Sequence, residues 1–503
     1  MAGPDSRKVI LFLPSYDGKI FGPPLGLLSL AGSLRDAGYN PVIVDGALSR
    51  DYRHIINKNL AGGLCFGVSL LTGPMISDAI EIASLVRNLR PEVPIVFGGW
   101  HPSLLSGQTL REDFVDIVVR HQGEKTLVEI LQRLESGGGL ERVDGCWFKR
   151  NGQIIQNADR HTIPLYALPP PAYDLIDFDA YERAIGERKL PFATSIGCPY
   201  ACSYCTDAVF YNRRFNPYHA EQVVQELADL AGRHRITEVS LVDSNFLVDV
   251  RRALAIARGI IESGVRFRWT FQASTDLLCR MTDEEVELLA ASGVSHIGFG
   301  TESASSEVLQ FMNKGHQHIP DMYEAARKCG RAGIRVTFNL IFGFPGEEDR
   351  HRRETLRVMS DIADKFENVS FSPNIFTPYP GIPVWPQLRK MGLRDPESLK
   401  AWADFALGSN HLPWLHGNVF ETLQRSISYF LLDAQISRAQ RRCQSRALGK
   451  LLRFARKPVH WRLKHSFFDW PLELWLSMVK RWLVVRRSLL TGQPLGHQLG
   501  GAR

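Results

Sequence analysis

The chain lacks the second half of a thiolate zinc site. Its eight cysteines contain one C-x2-C unit, Cys202 and Cys205, and no other, whereas structural zinc is commonly held by two such pairs. Cys65, Cys146, Cys279, Cys329 and Cys443 are scattered through apolar or helical contexts. They outline no disulfide framework, so a reducing, cytoplasmic setting is expected. No secretory leader is visible, because MAGPDSRK runs straight into a strand-like stretch. Long apolar runs are missing too. In the tail Lys480, Arg481, Arg486 and Arg487 interrupt the hydrophobic residues well short of the ~20 that cross a bilayer. What remains, 44% hydrophobic and 22% charged, is ordinary globular material. A length of 503 residues exceeds one hydrophobic core, so two or three domains are expected.

The stretch around which the rest is organised is TSIGCPYACSYCT, Thr194–Thr206. It carries Cys198, Cys202 and Cys205 in a C-x3-C-x2-C spacing. Leu190, Phe192 and Ala193 read as a short buried strand ending at Gly197. Gly197 and Pro199 then turn the chain so that three sulfurs face one point. Thiolate is a soft ligand suited to iron–sulfur clusters or zinc, and three thiolates leave one coordination position unfilled by protein.

On either side, strands alternate with helices, which implies parallel, doubly wound sheets. In residues 1–135 the strands read as Val9–Pro14, Pro41–Asp45, Gly63–Leu70, Pro94–Phe97 and Val115–Val119, with helices Leu25–Ala37, Arg53–Asn59 and Met75–Leu89 between them. Small or unusual residues stand at the strand ends, where such sheets bind ligands: Ser69-Leu70-Leu71 and Gly98-Gly99-Trp100-His101-Pro102. Residues 136–188 read as a linker, with a small hairpin around Asn151-Gly152 and an extended strap through Pro169-Pro170-Pro171. In residues 189–390 the strand before Cys198 and the runs Glu238–Val242, Phe267–Gln272, His296–Phe299, Arg335–Phe342 and Val369–Ile375 make six βα units, short of the eight of a full barrel. The expected fold class is α/β: a doubly wound parallel-sheet domain, a partial six-strand β/α barrel, and a helical region over residues 391–503.

The cysteine spacing, with Tyr204 beside the last cysteine, resembles the signature of the radical S-adenosylmethionine (SAM) superfamily. That resemblance implies a [4Fe–4S] cluster on Cys198, Cys202 and Cys205 whose open iron binds SAM. It also implies reductive cleavage of SAM to a 5′-deoxyadenosyl radical, an external one-electron reductant of flavodoxin or ferredoxin type, and no conventional acid–base dyad; no catalytic side chain is assigned. Asp243-Ser244-Asn245-Phe246 stands where the family meets the SAM amino end. Gly300-Thr301-Glu302-Ser303 looks like its G-x-E-S motif. Asn339–Glu347, with Ile341, Gly343 and Pro345, resembles its adenine-contacting stretch, although Asn339 replaces the first glycine. The N-terminal domain is similar to cobalamin-binding domains. The set Ser69, Leu71, Gly98 and Gly99 matches the family pattern, while Asp17–Gly22 reads D-x-K-x-x-G, with Lys19 where the axial histidine would stand. The resemblance therefore implies cobalamin without a histidine on its lower face, its bulky nucleotide tail sliding between strands past small residues. A substitute role for His101 is not expected.

The tail adds a separate signal. From Arg438 to Leu490 there are fourteen Lys and Arg and two acidic residues, interleaved with Phe454, Trp461, Phe467, Phe468, Trp470, Trp475 and Trp482. From Pro471 on, Trp475, Met478, Val479, Trp482 and Leu483 recur at helical spacing. Such a helix reads either as interfacial, on the anionic inner face of a membrane, or as packed on the barrel. The leading expectation is a cobalamin-dependent radical SAM enzyme methylating an unactivated carbon of a small, hydrophobic or lipid-like substrate. The alternatives are non-methylating radical chemistry, such as cyclisation or carbon–carbon coupling on a tetrapyrrole or lipid, and RNA modification. No recognisable RNA-binding module is present, so nucleic acid is not an expected partner.

Overall fold

The computed structural model describes residues 7–406, 409 and 411–476. Strands β1 (Lys8–Leu13), β2 (Asn40–Asp45), β3 (Gly63–Ser69), β4 (Ile95–Gly98) and β5 (Ile117–Val119) pair in parallel in the order 2-1-3-4-5. Helices cover both faces, so both sides of a strand are apolar: Val9, Ile10, Leu11 and Phe12 are each at most 1% exposed. Ile10 and Phe12 join one core with Ile56, Ile76 and Ile82; Val9 and Leu11 join another with Leu27, Leu34 and Leu131. The strand order reverses between β1 and β3, and ligand sites of such sheets lie outside that point.

The hairpin that the sequence placed in the linker belongs to this sheet. Its strands, β6 (Cys146–Arg150) and β7 (Gln153–Gln156), extend the edge antiparallel, β6 on β5. Asn151 and Gly152 both have positive φ, 50° and 77°, as a tight hairpin turn requires. The proline strap then lies along the helix Leu25–Asp36. A Cβ on Gly32 would stand 2.2 Å from the Pro170 carbonyl, and Ala172 N donates to Leu28 O at 3.0 Å. Two tyrosines tie the strap region to both sheets: Tyr181 OH donates to Asp45 at 2.7 Å, and Tyr173 OH to Pro191 O at 2.6 Å.

Six parallel strands follow in sequential order: Lys189–Phe192, Glu238–Leu241, Arg268–Ala273, Val294–Glu302, Arg335–Phe342 and Val369–Ile375. They form the expected partial barrel. The first strand is shorter than its apolar run suggests. The backbone leaves the sheet at Ala193, and Ser195–Ile196 pairs antiparallel with Asn216–Pro217. Side chains alternate with period two. Val336, Phe338, Leu340 and Phe342 are fully buried beneath the outer helices. The lumen side is polar: His296 bonds Thr337 at 2.7 Å, Thr337 bonds Ser370 at 2.6 Å, and Asn339 donates to Gln272 at 3.3 Å.

Past the barrel, Trp402 packs on Trp385 and edge-on to His101, and its indole donates to Gln108 at 2.8 Å. This segment thus clamps the two sheets together. Helices Asn418–Arg442 and Arg446–His465 follow. Phe430 is buried edge-on to Phe371 of the sixth barrel strand, and Arg438 donates to Val369 O at 2.6 Å. Arg456 pairs with Asp433 at 2.8 Å and Asp364 at 2.7 Å. The start of the basic tail is therefore part of the fold. Among the described residues no helix is long and apolar enough to cross a membrane. Met478, Val479, Lys480, Arg481, Trp482, Leu483, Arg486 and Arg487 lie outside the described residues.

Candidate active site

The cysteine loop is a closed excursion from the barrel mouth. Gly197 has φ +77°, and a Cβ there would sit 2.0 Å from Arg214 O, so glycine is required where the loop closes on itself. Four contacts anchor the loop to the far side of the mouth. Ser203 N donates to Met312 O at 2.9 Å, Asn313 Nδ2 to Ala201 O at 2.7 Å and Tyr200 OH to Asp276 at 3.0 Å. The Tyr200 ring stacks on His316 at 4.0 Å. Cys198, Cys202 and Cys205 are all free. Burial pushes the Cys198 thiol up to about 11 and Cys205 to about 12, and each also feels Cys202 as a neighbouring charge. Among the described residues no set of three His, Cys, Asp or Glu is gathered as a single metal ion needs. Three soft thiols on one loop fit a polynuclear iron–sulfur cluster with one open iron better than a lone cation.

Behind the loop lies a buried triad that the sequence showed only in part. Glu302 is 7% and Lys314 6% exposed. Lys314 Nζ lies 3.1 Å from both Glu302 Oε1 and Tyr204 OH, and Tyr204 OH donates to the same carboxylate at 2.9 Å. A register shift in the fourth strand gives Glu302 a φ of 59°. Gly300 leaves the room: a Cβ there would stand 2.6 Å from Glu302 Oε1. Burial alone would lower the Lys314 ammonium, but Glu302 and the Cys202 and Cys205 sulfurs hold it above its ordinary range.

Asp243 departs from the sequence expectation. Its carboxylate accepts from Thr194 N at 2.8 Å, from Thr194 Oγ1 at 2.6 Å and from Ser195 Oγ. It is therefore occupied in shaping the turn into the cysteine loop. Arg252 braces the same turn, donating to Thr194 O at 2.6 Å. Two residues on, Asn245 donates to Ser274 Oγ at 3.2 Å while its Oδ1 is buried without a partner. Thr275 Oγ1, Asp276 Oδ1, His316 Nε2 and Gln317 Oε1 are likewise orphaned. Buried polar atoms are otherwise nearly always satisfied, so this rim beside the cysteine loop fits a polar ligand such as the amino-acid end of SAM. In the fifth-strand stretch Gly343 has φ +80°, its N donates to Glu347, and its O accepts from Trp414 Nε1 at 2.9 Å. Pro345 is buried and Ile341 half-buried on the lumen side. Burial lifts the Glu347 carboxyl to about 7.

A second feature opens where the two sheets face each other. A cavity of about 540 Å³ is walled by Ser69, Gly98 and Gly99 on one side and by Ile196, Asp207 and Ser244 on the other. Trp100 of the first domain stacks on Phe210 of the second at 4.2 Å. Gly99 has φ +89°, and a Cβ would come within 2.9 Å of the Leu70 backbone. The glycine pair thus lets the loop fold close over β3, leaving a cradle whose apolar depth fits a corrinoid tail. Leu71 does not join it: that side chain is 47% exposed and off the cavity wall. Lys19 is exposed, its ammonium near the Tyr16 ring. His101 is fully buried, bonded to Thr72 at 2.9 Å and lowered by burial to about 3, and it lies off the cavity wall. The histidine on that wall is His121, which the sequence reading missed.

Comparison with known proteins agrees with this geometry. Residues 193–359 match the Radical SAM superfamily and residues 19–131 the B12 binding domain. An uncharacterized methyltransferase of Pyrococcus horikoshii is 30% identical over 392 residues, covering 75% of this chain and 82% of that protein. The anaerobic magnesium-protoporphyrin IX monomethyl ester cyclase of Synechocystis is 25% identical, covering 72% of each. The cobalamin-dependent SAM radical enzyme OxsB, solved with aqua-cobalamin and SAM bound, superposes with a TM-score of 0.71 at 19% identity, over 92% of this chain and 72% of that one. The chain belongs to the cobalamin-binding radical SAM enzymes. Its cofactors are a [4Fe–4S] cluster, SAM and cobalamin.

Proposed function

We propose that this enzyme methylates an unactivated carbon of a small molecule. The observation that carries the reading is the shared cavity. Its walls come from the glycine ends of the first sheet and from the chain flanking the cysteine loop, so a corrinoid seated there lies against the radical-generating site. SAM and the cluster supply the hydrogen-abstracting radical, and cobalamin the methyl group. In this reading Cys198, Cys202 and Cys205 hold the cluster. Glu302, Ile341, Gly343 and Pro345 face SAM, with Asp243 positioning the loop rather than touching the ligand. Ser69, Gly98 and Gly99 receive the corrinoid. The test is anaerobic turnover with SAM carrying a deuterated methyl group. The expected product gains a CD3 unit alongside 5′-deoxyadenosine. A product that loses hydrogen without gaining CD3 would select cyclisation or coupling, the reading that the cyclase relative favours.

Support for a hydrophobic or lipid-like substrate comes from the C-terminal surface alone, since the barrel lumen is polar. On the helix Arg446–His465, Leu448, Leu451, Phe454 and Trp461 are exposed, Phe454 at 72%. Arg446, Lys450, Arg453, Lys457 and Lys464 are exposed beside them. An apolar stripe flanked by cations suits an anionic membrane surface. Each cation close to such a surface contributes on the order of 1 kcal/mol. Reversing Lys450, Arg453 and Lys457 to Glu is expected to release the enzyme from vesicles containing phosphatidylserine at low salt, with the fold intact. Unchanged co-sedimentation would rule out this docking face.

A further inference from the structure

The cavity continues between the first sheet and the helices Leu25–Asp36 and Glu124–Glu135. There its walls are Leu11, Leu27, Leu30, Val96, Val119 and Leu127. Two polar side chains interrupt this apolar lining, one from each helix: Ser29 and Glu124. Ser29 Oγ donates to Glu124 Oε1 at 2.7 Å. Glu124 Oε2 is buried and has no partner. Buried polar atoms are nearly always satisfied, and the proposed chemistry gives Glu124 no other task.

We propose that Glu124, held in place by Ser29, is the hydrogen-bond partner of the aromatic nitrogen base at the end of the corrinoid's nucleotide tail. The inference rests on cobalamin being the cofactor and deepens it by assigning the residue that recognises the lower base. The chemistry matches on three counts. A flat aromatic base suits a slot walled by leucine and valine. It offers one ring nitrogen with a lone pair; of the two orphaned buried atoms on the cavity wall, His121 Nδ1 and Glu124 Oε2, His121 stands against Phe210 at the junction of the domains, and Glu124 stands among the leucines and valines. Burial also pushes the Glu124 carboxyl up, against the pull of Ser29, the direction that favours sharing a proton with a neighbouring base. Because Ser29 donates into Oε1, Oε2 is the oxygen left to face the ring nitrogen, with one proton shared between the two.

The experiment is spectrophotometric titration of the full-length apoprotein with two corrinoids. One is hydroxocobalamin. The other is an analogue with a phenolic base, which keeps the ribose and phosphate but has no ring nitrogen. Glu124→Leu should weaken hydroxocobalamin binding about tenfold and leave the phenolic analogue within about twofold, the size expected of one hydrogen bond. Glu124→Gln, whose amide can donate, should keep most of the cobalamin affinity. The apoprotein of Glu124→Leu should melt close to wild type, since removal of the orphaned oxygen offsets the acceptor that Ser29 loses. Equal weakening for both corrinoids would mean that Glu124 touches the ribose or only shapes the slot, and the proposal falls. So it does if Glu124→Leu leaves cobalamin binding unchanged. A wild-type protein that binds neither corrinoid would overturn the cofactor assignment itself, and the proposal with it.

Discussion

With Cys198, Cys202 and Cys205 all changed to Ala, anaerobically reconstituted protein is expected to hold iron at background level and to release no 5′-deoxyadenosine from SAM. The loop should survive the change. Its anchors are Tyr200 on Asp276, Asn313 on Ala201 O and Ser203 on Met312 O, none of which uses a sulfur. The loss would therefore be of ligands and not of fold, and circular dichroism should be unaltered. By contrast, Cys65, Cys146 and Cys329 are buried in the cores and far from this loop in sequence. Changing each to Ser should leave iron content intact while lowering stability, because a hydroxyl replaces a small hydrophobe in an apolar site. Iron content near wild type in the triple mutant would sink the assignment of the cluster to these thiols.

How much of this was legible beforehand depends on how local each signal is. The cysteine loop is specified within thirteen residues, so spacing alone exposed it. Strand and helix alternation gave both sheets, because each strand announces its own apolar run. The edge hairpin was misplaced because its membership is decided by the pairing of β6 with β5, which no local pattern reports. Asp243 was assigned to SAM from its position at a strand end. Its actual partners, Thr194 and Ser195, lie on the preceding strand's exit, and only the parallel register brings them together. Leu71 was assigned by motif, but period-two alternation ends with β3 at Ser69, so nothing turned its side chain inward. Glu124 sits at the start of an amphipathic helix and reads as an ordinary first-turn acid. Its burial depends on the helix Leu25–Asp36 crossing opposite it. The tail's chemistry was legible as composition, but composition does not say that Arg438 and Arg456 are spent on Val369, Asp364 and Asp433.

Lys314→Met should be among the most destabilising single substitutions in the barrel. The change keeps the length of the side chain but removes the cation from a site where Lys314 and Glu302 are both more than nine-tenths buried. Tyr204 OH would then be the one neighbour in the triad left to Glu302. Removing one member of a buried ion pair leaves an uncompensated charge and costs roughly 3–5 kcal/mol. A neutral pair is a different matter. In Lys314→Met with Glu302→Gln no buried charge is stranded, and the amide oxygen introduced by the second change can still accept from Tyr204. The double variant should therefore recover most of the loss, which makes the coupling between the two sites measurable as a double-mutant cycle. The readout is the denaturant midpoint of the first unfolding transition in apoprotein, so that cluster loss does not enter the comparison. If Lys314→Met proves as stable as wild type, the pair is not carrying buried charge and the triad is looser than its distances imply. If the single and double variants lose the same amount, the loss does not come from a stranded Glu302 charge, and the two residues are not coupled as the distances in the triad imply.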